Sequence, residues 1–349
     1  MKRIVQLIPY DAIGGVEMAA KSIPTGNHST LRFERHYLVN RSGAANSDGE
    51  HHGVSRSLYD PRPYLQAVWR LFRVPPDLLV VSLWRCALVL IALKIIHPRQ
   101  KSVLFLHSTR DAHFVDKVVT RIAMQIADEI WVDSPATLSK RVPDSLQHKG
   151  RVISFLLRKE SLPPPRNPSA ALIFWGRLSQ TKDLAHALNI FAKLLKQHPA
   201  GRFQIIGPDG GVETDLKELT AQLGITEHVD FLGAKTHAQI KDIALNAAFY
   251  LQTSIYEGMA LSVVEAMQLG LVPIVTPVGE IAQYCTDGQN AILIGDRSHT
   301  PKRVTKLLQD PARYRQMSLA AAAYWQDQTT YRESFLTAAA ILMANGASA

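Results

Sequence analysis

"SIYEGMALSVVEAMQLGLVPIVTP", Ser254 to Pro277, sets two carboxylates, Glu257 and Glu265, around one short apolar segment. The preceding "FYLQTS" reads as a strand. Leu261 to Leu269 has helical spacing, Gly270 is a C-terminal stop, and "LVPIVT" is a second apolar strand. Glu257, flanked by Tyr256 and Gly258, therefore falls in the loop at the carboxyl end of a strand, and Glu265 falls inside the helix that follows. In open α/β sheets that edge is where ligands bind.

Working outward, the same alternation fills the chain. Upstream lie "ALIFWG", a helix over Asp183 to Gln197, "RFQIIG", a helix over Thr214 to Leu223, "VDFLG" and a helix over Ala238 to Asn246. In the first half "RIVQLI", "RHYLVN", "DLLVVSL", "SVLFLH" and "EIWVDS" read as strands, with helical stretches near Val89 and Val118. Strands alternating with helices predict parallel, doubly wound sheets. "SLPPPRNPSA", Ser161 to Ala170, cannot continue a helix or a central strand, so the linker between two domains is expected there. The expected organisation is a first domain over 1–160, the Pro-rich linker over 161–170, a second domain over 171–322, and a C-terminal helical segment over 323–349. That last segment, carrying Trp325, Tyr331, Phe335 and Leu342, is expected to return to the first domain.

Composition narrows the class. At 349 residues the chain is long for a single core, and 46% hydrophobic content with mixed charge describes a globular protein. Two distant cysteines, Cys86 and Cys285, give neither a disulfide framework nor a metal-ligand spacing, which fits a reducing, cytoplasmic compartment. "MKRIVQLIPYDAIGG" is too quickly polar for a signal peptide, and "LWRCALVLIALKII" is too short to span a bilayer. A net charge of +9 fits an anionic partner (nucleotide phosphate, an anionic lipid surface or nucleic acid) and equally fits ordinary surface lysine and arginine. Aromatic residues do not interleave with a basic stripe, so nucleic acid is not expected.

"IFWGRLSQTKDL" carries the second constellation. A buried strand ends at Gly176, and Arg177 and Lys182 then stand at the mouth of the next helix. A guanidinium forks onto phosphate oxygens, an ammonium acts as a point charge, and free backbone N–H groups at a helix start add to the field, a combination suited to a diphosphate. Taken alone, a Gly-Arg turn before a helix reads equally well as a solvated turn.

Together, "GRLSQTK" and "EGMALSVVEAM" resemble the retaining GT-B glycosyltransferases of family 4, which carry a Gly-Arg-x-x-x-x-Lys element and two glutamates separated by seven residues, as Glu257 and Glu265 are. "GLVPIVTPVGEI" and "DGQNAILI" continue the likeness, with Glu280, Asp287 and Asn290 at matching places. The resemblance covers Ala171 to Ile294 and implies two Rossmann-like domains facing across a cleft, acting on a nucleotide-sugar donor (a UDP- or GDP-sugar) and a glycan or lipid-linked acceptor in surface polysaccharide or glycolipid synthesis. It implies that Arg177 and Lys182 hold the donor diphosphate and that Glu257 contacts hydroxyls of the transferred sugar. Backbone groups of Gly258, Met259, Ala260 and Leu261 would reach phosphate, and Glu265 would accept from the ribose diol. Gly207 and Gly233, each closing a strand, would line the base and ribose pocket.

In the first domain, "SVLFLHSTRD" looks like the strand in related mannosyltransferases that ends in a histidine, here His107. Gly14 and Gly15 stand where the family has a glycine loop beside the diphosphate and acceptor. "KSIPTGNHSTLRF", broken by Pro24 and Gly26, and "RVISFLLRKESL" depart from the family pattern, so the likeness carries the donor half and leaves the acceptor open. No Asp-x-Asp occurs in the chain, so Arg177, Lys182 and helix dipoles are expected to serve the diphosphate with no metal and no other cofactor. The resemblance implies retention of configuration. The basic charge together with the helix near Val89 leads to an expectation of peripheral docking on an anionic membrane, where many polymer-building relatives meet lipid-linked acceptors. A catalytically silent scaffold of the same fold would be expected to have lost one of Arg177, Lys182, Glu257 or Glu265, and a sugar-nucleotide epimerase would lack this glutamate pair.

Overall fold

The computed structural model describes residues 1–11, 14–28, 30–295 and 299–344, which fold into two compact units. One comprises Met1–Arg158 with Thr329–Ala349, the other Lys159–Gln328.

In the first unit the strands are β1 (Lys2–Tyr10), β2 (Gly26–His28), β3 (Leu31–Val39), β4 (Glu50–His52), β5 (Leu78–Ser82), β6 (Ser102–Leu106), β7 (Glu129–Val132) and β8 (Gly150–Val152). They form one sheet in the order β2-β3-β1-β5-β6-β7-β8, with β4 also pairing with β3. All pairings are parallel except β2 with β3, which lays Gly26–His28 against Leu31–Phe33. The helices are α1 (Gly15–Lys21), α2 (Arg62–Arg73), α3 (Leu83–Ile96), α4 (Phe114–Ile126) and α5 (Pro135–Arg141). Side chains alternate along a strand, and the two faces are covered differently. Leu104 and Leu106 of β6 share one buried core with Leu71 of α2, Leu90 of α3 and Ala123 of α4. Phe105, between them, stacks on Tyr331 at 6.1 Å between centroids, while Phe33 and Trp131 meet Phe335 edge-on at 5.6 and 5.0 Å. Those partners sit on the last helix (Tyr331–Ala344, α13 in chain order), which closes the second face of the first unit's sheet.

The second unit has β9 (Ala171–Trp175), β10 (Arg202–Ile206), β11 (Val229–Phe231), β12 (Phe249–Gln252), β13 (Val272–Val275) and β14 (Ile292–Leu293), all parallel, in the order β11-β10-β9-β12-β13-β14. Its helices are α6 (Leu184–Leu195), α7 (Glu213–Gln222), α8 (His237–Ala244), α9 (Leu261–Gln268), α10 (Ile281–Tyr284), α11 (Thr300–Leu308) and α12 (Pro311–Ala323). The two central strands, β9 and β12, are nearly all buried, as strands covered on two faces must be.

Two expectations are revised. The C-terminal segment expected over 323–349 is not helical throughout: α12 ends at Ala323, Tyr324–Thr330 leave the helix, and Trp325 packs on Tyr284 of the second unit at 5.2 Å. The Pro-rich stretch, expected as the linker over 161–170, falls within the second unit, which begins at Lys159. Arg166 donates to the carbonyls of Ala244, Ala247 and Leu269, which binds the stretch to the second unit. Among the described residues no helix is long and apolar enough to cross a membrane.

Candidate functional site

Strand order places the site. In the second unit, connections from β9 run outward through β10 to β11, and those from β12 run the other way through β13 to β14, so the sheet reverses direction between β9 and β12. Loops leaving the carboxyl ends of two such strands diverge and open a crevice there. Gly176 to Lys182 leave β9 and Thr253 to Ala260 leave β12, so the basic and acidic motifs flank one switch point.

The two loops are tied together. Ile255 N–H donates to the Thr181 carbonyl at 2.9 Å, and the Thr253 hydroxyl donates to the Asp183 carbonyl at 2.7 Å. Lys182 Nζ lies 2.5 Å from Glu257 Oε1, in an ion pair whose side chains are 19% and 10% exposed. The same oxygen accepts from Gln252 Nε2 at 2.8 Å. Gln252 is fully buried, and its own carbonyl oxygen accepts from the hydroxyls of Tyr250 (2.9 Å) and Ser262 (3.2 Å). Burial holds the Tyr250 phenol far above its ordinary pKa, so it stays a donor. Glu257 is therefore aimed from beneath, with Oε2 left without a protein partner among the described residues. Gln252 is a candidate site residue that reading the sequence missed; its signal was a lone amide in an apolar strand.

Glu265, on α9, accepts from Trp175 Nε1 at 3.0 Å and lies 3.6 Å from His237 Nδ1 at the first turn of α8. His237 was likewise not foreseen. Arg177 is exposed and makes no hydrogen bond or ion pair among the described residues; its stem lies beside Gly210, whose N–H donates to the Leu178 carbonyl at 2.7 Å. The structure thus joins Lys182 to Glu257 directly, sets Glu265 one strand end away through Trp175, and leaves the Arg177 guanidinium in solvent at the end of β9.

Backbone geometry sustains the edge. Gly258 and Met259 form the turn after Glu257, Ala260 is left-handed (φ 54°), and Leu261 opens α9. The Met259 carbonyl accepts from the Tyr284 hydroxyl at 2.8 Å, and the Gly258 carbonyl from the Glu280 N–H at 3.0 Å. Gly207, ending β10, donates to the Gly233 carbonyl at 2.9 Å, so the two glycines lie together at neighbouring strand ends. A Cβ on Gly207 would stand 1.8 Å from the Gly176 carbonyl oxygen, and only glycine fits. Asp287 and Asn290 serve the fold: Asp287 receives the Leu293 N–H and Asn290 bonds the Tyr284 carbonyl.

His107, Gly14 and Gly15 belong to the first unit, whose sheet reverses between β1 and β5. Gly14 caps α1 with extended backbone and Gly15 opens it. His107 follows β6, its Nε2 3.1 Å from Ser82 Oγ and its ring tilted by 36° against Phe105 at 4.1 Å between centroids. Burial, with the Arg141 charge adding, pushes its pKa down to about 3, so the ring is neutral at physiological pH. Among the described residues Glu34, His36 and His51 bring three metal-capable atoms within 4.8 Å. Arg3 already forks onto Glu34 at 2.9 and 2.8 Å and Arg32 adds a third bond at 3.2 Å, so the carboxylate's charge is met by guanidinium and the cluster reads as structural.

Two Rossmann-like units of parallel strands in one chain define the GT-B fold. The chain superposes on HepE of Anabaena, solved in complex with UDP, with a TM-score of 0.79 at 18% identity, covering 99% of this chain and 100% of that one. It also superposes on sucrose-phosphate synthase of Thermosynechococcus elongatus with a TM-score of 0.79 at 16% identity, covering all of both chains. At these identities the likeness is one of fold. Residues 159–324, nearly all of the second unit, match the family model Glycosyl transferases group 1, so that segment is a domain of this group. Among relatives, it is 28% identical over 132 residues to the GDP-mannose:cellobiosyl-diphosphopolyprenol alpha-mannosyltransferase of Xanthomonas oryzae pv. oryzae, covering 37% of this chain and 35% of that protein. It is 30% identical over 112 residues to the phosphatidylinositol N-acetylglucosaminyltransferase gpi3 subunit of Schizosaccharomyces pombe, covering 32% and 24%. The matched stretch thus spans about a third or less of these relatives' length.

Proposed function

We propose that the protein is a retaining glycosyltransferase that moves a hexose-type sugar from a nucleotide-sugar donor to a glycan or lipid-linked acceptor in surface polysaccharide or glycolipid synthesis, in peripheral contact with an anionic membrane. The observation that carries the reading is the Lys182–Glu257 pair at the switch point of the second unit. Arg177 and Lys182 take the donor diphosphate, joined by the N–H groups of Met259, Ala260 and Leu261 at the start of α9. Glu257 turns its unused oxygen to a hydroxyl of the transferred sugar. Glu265 accepts from the ribose diol, as a two-oxygen acceptor suits vicinal hydroxyls, and the strand ends at Gly207 and Gly233 border the base. His107 and the Gly14–Gly15 loop serve the corresponding edge of the first unit, where His107, being neutral, positions by hydrogen bonding and does not supply a proton.

In the transfer, the bond from the anomeric carbon to the phosphate oxygen breaks, the acceptor oxygen bonds to that carbon from the same face, and the acceptor proton passes to the departing phosphate. Negative charge accumulates on the nucleoside diphosphate, where preorganised donors are typically worth ~3–4 kcal/mol each. Relatives whose names specify GDP-mannose, and a fold neighbour solved with UDP, support a nucleotide-linked donor. Thermal unfolding with UDP-, GDP- and ADP-sugars tests this. A donor present at a hundred times its Kd stabilises by about 2.7 kcal/mol and raises Tm by several degrees. No shift with any of them contradicts the reading.

A further inference from the structure

We infer that α4 and the basic pocket beside it form a docking surface for an anionic phospholipid bilayer, with the apolar side of α4 entering the interface and the pocket receiving lipid phosphate. The inference gives the membrane contact proposed above a location, and rests on that part of the reading alone.

On α4, Phe114 (78% exposed), Val115 (51%), Val118 (41%) and Ile122 (47%) stand out of the fold. At 100° per residue they share one side of the helix, while Val119, Thr120 and Ala123 face the core. Four large apolar side chains in a row on a solvent-facing helix cost free energy unless something covers them. Lys117 and Arg121 border the row one turn apart. They also line a cavity of about 540 Å³ together with Arg110 after β6 and Lys140 and Arg141 of α5. Lys117, Arg121 and Lys140 form no ion pair among the described residues. The acidic group in that lining, Asp111, is held by Arg141 at 3.0 Å.

The helices beside α4 repeat the pattern. On α2, Leu65 (69% exposed), Trp69 (60%) and Phe72 (51%) follow one another at helical spacing, with Arg73 over the Trp69 ring at 5.2 Å. On α3, between them in the same layer, Leu88 and Ile95 are exposed. Apolar residues flanked by cations, with an indole among them, are the composition of a helix lying in a bilayer interface. A second copy fits poorly, since a two-fold contact would press Lys117 and Arg121 toward their own duplicates. Nucleic acid would answer the cations and leave Phe114, Val118 and Ile122 uncovered.

Flotation of the full-length protein with vesicles of phosphatidylcholine, alone or mixed with phosphatidylglycerol, tests the inference without any donor present. Binding is expected to the mixed vesicles at low salt, to weaken as salt rises, and to be absent with phosphatidylcholine alone. Neutralising a cation near the surface costs about fivefold in partitioning, so Lys117→Gln/Arg121→Gln together should lose about twenty-five-fold. Phe114→Ser/Val118→Ser should lose binding to mixed vesicles at every salt concentration. These positions are exposed, so both variants should keep the wild-type melting temperature and its nucleotide-sugar response, which separates failure here from failure of the transfer reading. No flotation at low salt, equal flotation with both vesicle types, or wild-type binding by both variants overturns the inference. So does a dimer in solution that Phe114→Ser/Val118→Ser dissociates.

Discussion

Lys182 Nζ and Glu257 Oε1 lie 2.5 Å apart across the gap between the ends of β9 and β12. Two groups proposed for different parts of the donor neutralise each other before the donor arrives. Lys182→Ala should lower turnover by roughly a hundredfold or more, which steady-state kinetics with the donor found by thermal shift will measure. Two roles for Lys182 are separable. If it only holds Glu257 in place, Glu257→Gln added to Lys182→Ala should restore part of the rate by removing the unpaired carboxylate. If it stabilises the departing diphosphate, the double variant stays as slow as the worse single one. The second outcome is expected.

The same cations bear on metal use. A diphosphate leaving group must be neutralised, and with no Asp-x-Asp in the chain the charges offered at the switch point are Arg177, Lys182 and the start of α9. Turnover should therefore be unchanged by EDTA. Activity abolished by EDTA and rescued by added magnesium would assign that neutralisation to a metal instead.

Glu265 accepts from Trp175 Nε1 through Oε2 and lies beside His237 through Oε1, so its carboxylate is fixed from two sides. Losing a hydrogen bond to a charged group costs about 1.5–3 kcal/mol, so Glu265→Ala should raise the donor KM by about ten- to a hundredfold with a smaller change in kcat. The ribose assignment predicts something more specific. Wild-type protein should bind the nucleoside diphosphate more tightly than its 2′-deoxy form, and Glu265→Ala should bind the two alike. Calorimetric titration of both ligands decides it, and an undiminished preference in the variant removes Glu265 from the ribose.

How much of this was legible in the sequence depends on whether a residue's role is local. The strand, loop and helix around Glu257 could be read because periodicity and Gly270 mark them within two dozen neighbours, and α9 spans Leu261–Gln268. By contrast α2 escaped. Its pattern is clear, with Tyr64, Leu65, Val68, Trp69, Leu71 and Phe72 on one broad side and Arg62, Gln66, Arg70 and Arg73 on the other, but β4, the strand before it, is too short to frame it. The three-residue strands β4 and β8 exist through pairing with β3 and β7, which carry the apolar content. Gln252 and His237 were invisible as site residues for a related reason: each reaches its glutamate only after folding, from an adjacent strand end and from the start of α8.

Two glycines test how tightly the edge is built. Gly207 (φ +151°) would place a Cβ 1.8 Å from the Gly176 carbonyl oxygen, and Gly279 (φ +59°) would place one 2.3 Å from the Glu257 carbonyl oxygen. Backbone opposes backbone in both, so nothing nearby can rotate away. Gly288 (φ +70°) has nothing within 4 Å and serves as the control. Gly288→Ala should cost only the left-handed penalty of about 1–2 kcal/mol. Gly207→Ala and Gly279→Ala should each cost more than ~3 kcal/mol, and Gly279→Ala should also shift the Glu257 loop and reduce donor binding. Comparable melting temperatures for all three variants would contradict the packing argument.

Acid stability follows from two buried histidines of the first unit. Burial pushes His107 down to about 3, with the Arg141 charge adding, and pushes His36 down to about 4 against an opposing hydrogen bond to Glu34. In the unfolded chain both titrate near the ordinary value of 6.5. Between 6.5 and these lowered values the unfolded state binds protons that the folded state refuses, so stability is whole above about pH 6.5 and falls as pH drops through that window. Glu34 adds to the loss lower down. Burial alone would raise its pKa, but hydrogen bonds from His36 and Arg3 hold it well below the usual carboxylate range, so its contribution disappears as pH falls beneath 4.5. The melting temperature should be nearly flat above pH 7 and decline from about pH 6.5 downward. His107→Gln, which keeps a hydrogen-bonding group toward Ser82, should flatten the first part of that decline. Imidazole resonances of His36 and His107 that titrate near 6.5 in the folded protein would contradict it.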